Sequence, residues 1–349
     1  MGNENRQLIA VDFFCGAGGV TCGFRQADIK VLGGIDIDAV FEETYEKNNP
    51  GSKFIHNDIS KLKFVDLEKK LEIKKNDEHL IFIGCSPCQY YTNLKTDKTK
   101  SKESRLLLED FQKFVDFFNP GYIFIENVPG FDRSKDSPIG KFKQFLSQKG
   151  YVFDDKVVNA KHFGVPQNRR RYVLIASRVQ KEIMIPKGDK KNVKTVKDAI
   201  GDYSEFPPVK AGHVDESEFM HTVAGLTDIN LKRIKKVKKD GGSRLDFAND
   251  ETLQLDCYIN HNGHTDVYGR MSWDKPAPAI TTKFRYTSSG RYGHPEQNRA
   301  ISIREGATLQ SFPKEYVFHS NNVSVIGKMI GNAVPPELAK KIVKSIGLN

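Results

Sequence analysis

The run Leu8–Phe14 is apolar almost throughout and stops at a glycine cluster, Gly16-Ala17-Gly18-Gly19, after which helical periodicity continues to about Ala27. This strand–turn–helix signal repeats along the first half of the chain. Lys30–Asp36 reads as strand, Ala39–Asn48 as helix, Lys53–His56 and His79–Gly84 as strands. Ser104–Asn119 reads as a helix with Leu107, Phe111, Phe114, Val115 and Phe118 on its apolar side. Tyr122–Glu126 then reads as strand, Ile139–Lys149 as helix, and Tyr151–Asn159 and Arg171–Ser177 as strands. Strands alternating with helical segments of about 10–16 residues predict an α/β fold built on a doubly wound, mostly parallel sheet.

After Arg178 the pattern breaks into prolines, glycines and charge clusters as far as about Ser320. A smaller second lobe of short strands and loops is expected over residues 179–322. One helix stands out there, with Asp228 as its cap, a stripe of Leu231, Ile234 and Val237, and Gly241-Gly242 to end it. Val323–Ile346 returns to helical periodicity and is expected to pack back on the first lobe, which therefore comprises 1–178 and 323–349. A length of 349 residues suits two lobes. With 38% hydrophobic and 28% charged residues, the chain falls outside the disordered class. No apolar run approaches the roughly 20 residues of a membrane span, and Met1 opens onto a polar stretch, so a cytoplasmic protein is expected. Five cysteines, an odd number, read as reduced thiols. The excess of 54 basic over 44 acidic residues, a net +10, suits a polyanionic partner but does not by itself identify one.

Three places carry chemistry. The glycine turn lets a ligand approach the backbone at a helix start, and Asp36, 18 residues after Gly18, can accept ribose hydroxyls. Asp58, after the third strand, can take an amino group. A dinucleotide or S-adenosylmethionine would each suit this arrangement, but Thr21 stands where a third glycine would complete the dinucleotide fingerprint. Next, Gly84-Cys85-Ser86-Pro87-Cys88-Gln89 and Glu126-Asn127-Val128-Pro129 each follow a strand. In a parallel sheet both emerge at the carboxyl edge, where a thiol and a carboxyl group suit covalent attack coupled to proton donation. Finally, in Gln167-Asn168-Arg169-Arg170-Arg171 the guanidiniums of Arg169 and Arg171 share one face of an extended segment, fit to hold a carboxylate, a phosphate or a base edge.

In order along the chain, DFFCGAGG (Asp12–Gly19), SPCQ (Ser86–Gln89), IENVPG (Ile125–Gly130), QNRRR (Gln167–Arg171) and IGNAVPP (Ile330–Pro336) resemble the motifs of the DNA (cytosine-5) methyltransferase family of bacterial restriction–modification systems. The resemblance implies that Cys88 attacks a flipped-out cytosine, Glu126 holds and protonates it at ring nitrogen 3, and Arg169 and Arg171 sit beside the base. It implies that S-adenosylmethionine is held by Phe14, Gly16, Gly18, Asp36, Ile37, Asp58, Ile59, Pro87 and Asn332. Ile37 stands where some members carry an aromatic residue, and Tyr90-Tyr91-Thr92-Asn93 departs from the family's usual sequence after the cysteine. Double-stranded DNA is the implied partner, bound by a monomer, with Gln89, Lys232, Arg233, Lys235, Lys236, Arg244, Arg270 and Thr281 as expected DNA contacts. A restriction endonuclease acting on the same site is a common companion in this family. No histidine spacing suggests a metal, and none is expected. A zinc deaminase would need H-x-E upstream of P-C-x-x-C, and a serine hydrolase G-x-S-x-G; neither pattern occurs. A thiol oxidoreductase would use Cys85 and Cys88 together, and predicts equal loss on replacing either.

Overall fold

The computed structural model of the protein describes residues 7–87, 100–133, 137–255, 257 and 265–346. In chain order the first elements are β1 (Ile9–Phe13), α1 (Gly19–Arg25), β2 (Lys30–Asp36), α2 (Glu42–Asn48), β3 (Lys53–His56), α3 (Phe64–Leu71) and β4 (Leu80–Gly84). Then come α4 (Lys100–Phe118), β5 (Tyr122–Asn127), α5 (Ile139–Gln148), β6 (Val152–Asn159), β7 (Gln167–Asn168) and β8 (Arg170–Ser177). The remainder comprises α6 (Val196–Ile200), α7 (Asp228–Lys236), β9 (Ala277–Pro278), α8 (Ile303–Leu309), α9 (Val323–Asn332) and α10 (Pro336–Val343).

Seven strands form one sheet in the order β3-β2-β1-β4-β5-β8-β6. The first five are parallel, and β8 is antiparallel to both its neighbours. β4 and β5 are buried at every position, as strands covered on both faces must be. Phe13 anchors the core, its ring 5.0 Å from Phe82, 5.2 Å from Phe111 and 5.2 Å from Phe114. The expected fold class is the observed one. Sequence reading passed over α3, an eight-residue helix that buries only Leu67 and Leu71 beneath a lysine- and acid-rich exterior.

The chain divides into two compact units. The first comprises Met1–Asn159, Arg170–Gly188 and Val334–Asn349; the second comprises Ala160–Arg169 and Asp189–Ala333. α9, grouped with the first lobe from sequence, belongs to the second unit. Its Gly331 lies so close to Thr281-Thr282 that a Cβ there would come within 2.3 Å of the Thr282 nitrogen. In the first unit α10 packs on α1 at Gly23, where a Cβ would stand 2.3 Å from the Pro336 carbonyl oxygen and 2.9 Å from the Ala339 Cβ.

Among its described residues the second unit has less sheet than expected: β7 pairs with β9 for two residues, beside isolated bridges at Gly293. Buried charge takes the place of strand pairing. Arg299 and Glu305 are both fully buried and joined by two 2.7 Å bonds, and Ser302 caps α8 in a reciprocal box with Glu305. His294 beside them accepts the backbone N–H groups of Glu296 and Gln297 at Nδ1, at 3.1 and 3.0 Å, so it is neutral in the fold.

Two expectations follow. Gly23→Ala meets backbone atoms that cannot turn aside, and should lower stability by about 1–3 kcal/mol, read as a fall in the urea midpoint. Burial, against the pull of Glu305, pushes the pKa of His294 down to about 4. Between pH 6.5 and 4 the unfolded chain therefore takes up a proton that the folded one refuses, and stability falls as pH falls through that window. His294→Asn should flatten the melting temperature over the same range.

Candidate active site

The sheet order reverses direction at β1, which lies between β2 and β4, and open α/β sheets bind ligands at such a point. Phe13 pairs with Ile35 on one side and Gly84 on the other, and Gly84 in turn pairs with Ile125. The glycine turn, Asp36, the Cys85–Pro87 segment and Glu126 therefore all leave the sheet at one edge.

The turn is built from left-handed backbone. Phe14, Gly16 and Gly18 have φ of 65°, 51° and 84°. A non-glycine residue in this region is sparsely populated and costs of order 1 kcal/mol, so Phe14 is held there by its surroundings; its side chain packs on the central core. A Cβ added at Gly16 would meet nothing within 4 Å, which leaves an open cradle above the turn. Asp36 closes it. One carboxylate oxygen accepts the Gly16 N–H at 2.8 Å and the other the Asp38 N–H at 3.0 Å. Burial raises the pKa of Asp36 while these two N–H groups draw it back down. Ile37, next in sequence, is 67% exposed, an apolar side chain left at the rim, and its carbonyl is 3.0 Å from His56 Nε2. Asp58 lies after β3, where the Ser60 hydroxyl, at 2.8 Å, holds its pKa low. The Ile59 side chain is buried in the core.

One acid here escaped the sequence reading. Asp12 on β1 is fully buried and accepts a 2.7 Å bond from the Thr21 hydroxyl, which also lies 3.1 Å from the Tyr45 hydroxyl. Burial pushes its pKa up to about 7 despite Thr21. The signal was present as a carboxylate set inside an apolar strand.

At the other side of the edge, Glu126 is the penultimate residue of the fully buried β5. Because β8 runs antiparallel, its beginning lies beside the end of β5: Asn127 pairs with Tyr172 and Glu126 with Val173. The preceding residue, Arg171, meets Glu126 in an ion pair of 2.8 Å from Nε to Oε1, with both side chains mostly buried. Asn127 reaches across to β4's loop, its Nδ2 3.5 Å from the Ser86 carbonyl, while its Oδ1 accepts the Val128 N–H at 2.7 Å. Glu126, Arg171 and Ser86-Pro87 are thus assembled by three strands. Cys88 and Gln89 lie outside the described residues.

The other predicted contacts require correction. Arg169 is buried, and its guanidinium donates to the carbonyls of Ile280, Gly331 and Ala333 at 2.8, 3.0 and 3.1 Å. Gln167 donates to Gln310 and accepts from the Ile280 N–H, and Gln310 donates to the Ile330 and Ala333 carbonyls. Arg169 is therefore a positioning residue that holds the end of α9. Arg270 is 1% exposed, with donors engaged by the carbonyls of Val237, Ile234, His294 and Gln297 and by Asn298, so it offers nothing to a phosphate. Arg233 donates to Leu253, Gln254 and Asn230 and lies over the Tyr268 ring. Arg244 is buried as well. By contrast Lys232, Lys235 and Lys236 are exposed on α7, Thr281 is exposed, and Asn332 is exposed at the end of α9.

The model of the C-5 cytosine-specific DNA methylase family matches residues 8–348. The Type II methylase M.HgiDII of Herpetosiphon aurantiacus is 39% identical over 345 residues, covering 96% of this chain and 94% of that protein. The Type II methyltransferase M1.HphI of Haemophilus parahaemolyticus is 32% identical, covering 97% and 86%. Among solved structures, a candidate DNA modification methyltransferase encoded within an E. coli prophage superposes with a TM-score of 0.73 at 21% identity, covering 97% and 98%. The S. pombe Dnmt2 methyltransferase does so at 0.61 and 18%, over 97% of this chain and 98% of its own; both share the fold. The switch-point cradle, the Glu126–Arg171 pair and these matches agree: the chain belongs to the C-5 cytosine-specific DNA methylase family.

Proposed function

We propose that this enzyme methylates carbon 5 of a flipped-out cytosine in one duplex DNA sequence through a covalent Cys88 adduct. The observation that carries the proposal is the Glu126–Arg171 pair at the carboxyl edge, beside the segment that leads into Cys88. Carbon 5 of cytosine is a poor nucleophile. Attack of the Cys88 thiolate on carbon 6 forms a C–S bond and pushes an electron pair towards ring nitrogen 3, which takes a proton from Glu126. Arg171 supports the carboxylate that remains. The ring is now an enamine that attacks a methyl group through carbon 5. A water or hydroxide takes the proton from carbon 5, the electron pair left behind re-forms the 5,6 double bond and expels the Cys88 thiolate, and nitrogen 3 returns its proton to Glu126. Reaching carbon 5 requires turning the base out of the stack, which costs a few kcal/mol.

The residues of the cradle fit S-adenosylmethionine, which supplies an activated methyl on a sulfonium. The open space above Gly16 would admit it close to the backbone, Asp36 would accept its ribose hydroxyls, Asp58 would take its adenine amino group, and Ile37 and Phe14 would hold the rest of it. Pro87 would also line the pocket in this reading. Lys232, Lys235 and Lys236 on α7 and Thr281 contact the DNA, together with Gln89. The enzyme acts as a monomer in the cytoplasm, and the Type II names of its relatives favour a companion restriction endonuclease of the same specificity.

Radiolabelled S-adenosylmethionine with mixed-sequence duplex DNA should yield labelled 5-methylcytosine, and Cys88→Ala none. Glu126→Gln should reduce turnover by about 10²–10⁴-fold, the usual worth of a general acid. Cys85→Ser should stay near wild type; equal loss in the two cysteine variants would favour a redox pair instead. Asp36→Ala should weaken equilibrium binding of S-adenosylhomocysteine by about tenfold or more, since a hydrogen bond to a charged group is worth about 1.5–3 kcal/mol. Label found in RNA and not in DNA would overturn the substrate assignment.

A further inference from the structure

The second unit carries a run of lysines that the catalytic site does not use. Lys190, Lys191, Lys194 and Lys197 are exposed, and none has a carboxylate within ion-pair distance among the described residues. Other lysines on the protein have such partners, Lys47 with Glu43, Lys61 with Asp58, Lys113 with Asp110 and Lys149 with Asp116.

The two exposed acids that flank the run are engaged by its own backbone and side chains. Asp189 accepts the N–H groups of Lys191 and Asn192 and the Asn192 amide, at 2.8, 3.1 and 2.6 Å. Asp198 accepts the N–H and hydroxyl of Thr195, each at 2.8 Å, closing the box that caps α6; Lys194 and Lys197 add only a weaker pull on its pKa. The run is also clamped at both ends. The Asp189 N–H bonds the His162 carbonyl at 2.7 Å, while those of Val196 and Lys197 bond the Lys275 and Trp273 carbonyls at 2.9 and 3.0 Å. The clamps bring in Lys161 at one end, and exposed Lys275 with exposed Asp274 at the other. After burial, Lys161 and Lys190 are what depress the pKa of His162, a sign of the positive potential there.

Like charges held together on a fixed backbone repel across less than a Debye length, about 8–10 Å, and a solvated loop would gain by spreading them. Evenly spaced phosphates at one negative charge per roughly 1.7 Å of duplex are the partner that reverses this cost. We propose that Lys190, Lys191, Lys194 and Lys197 form a second phosphate-binding surface, apart from α7, that holds duplex DNA backbone without reading its sequence. The proposal rests on the DNA-modifying function above. Lysine is suited to the task, as a mobile point charge that follows a backbone and does not fix a base edge.

The test compares the wild-type protein with the K190A/K191A/K194A variant on a mixed-sequence duplex of about 30 base pairs, measuring Kd across salt concentrations. Each lost phosphate contact should reduce the slope of log Kd against log salt by about 0.9, so the variant should be shallower by about 2–3. Its melting temperature and the plasmid cytosines it methylates should stay those of the wild type, and the corresponding triple arginine variant should restore the slope. An unchanged slope overturns the proposal, as does a slope change seen with duplex RNA and not with DNA. If the wild type neither binds nor methylates DNA, the functional reading fails first, before any comparison with the variant.

Discussion

The reversal of β8 between β5 and β6 is the constraint on which the catalytic edge depends. In a sheet of purely parallel strands the carboxyl edge receives only strand ends, and Glu126 would face other strand ends there. An antiparallel neighbour contributes its beginning instead, so Arg171 arrives beside Glu126 without a long loop. Coulombic attraction between partly buried groups is far stronger than between exposed ones. The pair consequently fixes both side chains next to the loop that Asn127 ties to Ser86.

The second unit solves a different problem. With few strand ladders among its described residues, it must satisfy buried backbone carbonyls by other means. Arginine and glutamine side chains do so: Arg169, Arg270 and Arg304 each bond carbonyls from separate segments, and Gln310 bonds two at the end of α9. A guanidinium with five donors can serve several carbonyls at once, which no hydrophobic residue can. The buried Arg299–Glu305 pair adds geometric specificity; removing one partner of such a pair is far costlier than never having had it.

These two solutions explain what sequence reading reached. The sheet, the glycine turn and the strand-end positions of Asp36 and Glu126 were legible because they follow from local periodicity and from polar residues that stop apolar runs. The fates of Arg169, Arg233 and Arg270 were not, because their partners are carbonyls, which every residue carries and no pattern marks. Arg169 bonds oxygens 111 and 162 residues away. Arginines in a basic chain read as ligands for an anion, yet here the buried ones neutralise the partial charge of the backbone. Asp12 was overlooked for the related reason that a strand interior is ordinarily apolar. α8 was missed although Ser302-x-x-Glu305 is a capping box in plain view.

The packing of α10 on Gly23 has a consequence for biosynthesis. The glycine that receives the helix is made long before Pro336 and Ala339. At about 5–20 residues per second, the ribosome leaves α1 without this cover for tens of seconds. During that interval the small-residue face of α1 is open to chaperones or to other nascent chains. The first unit thus closes only after the whole of the second has been made.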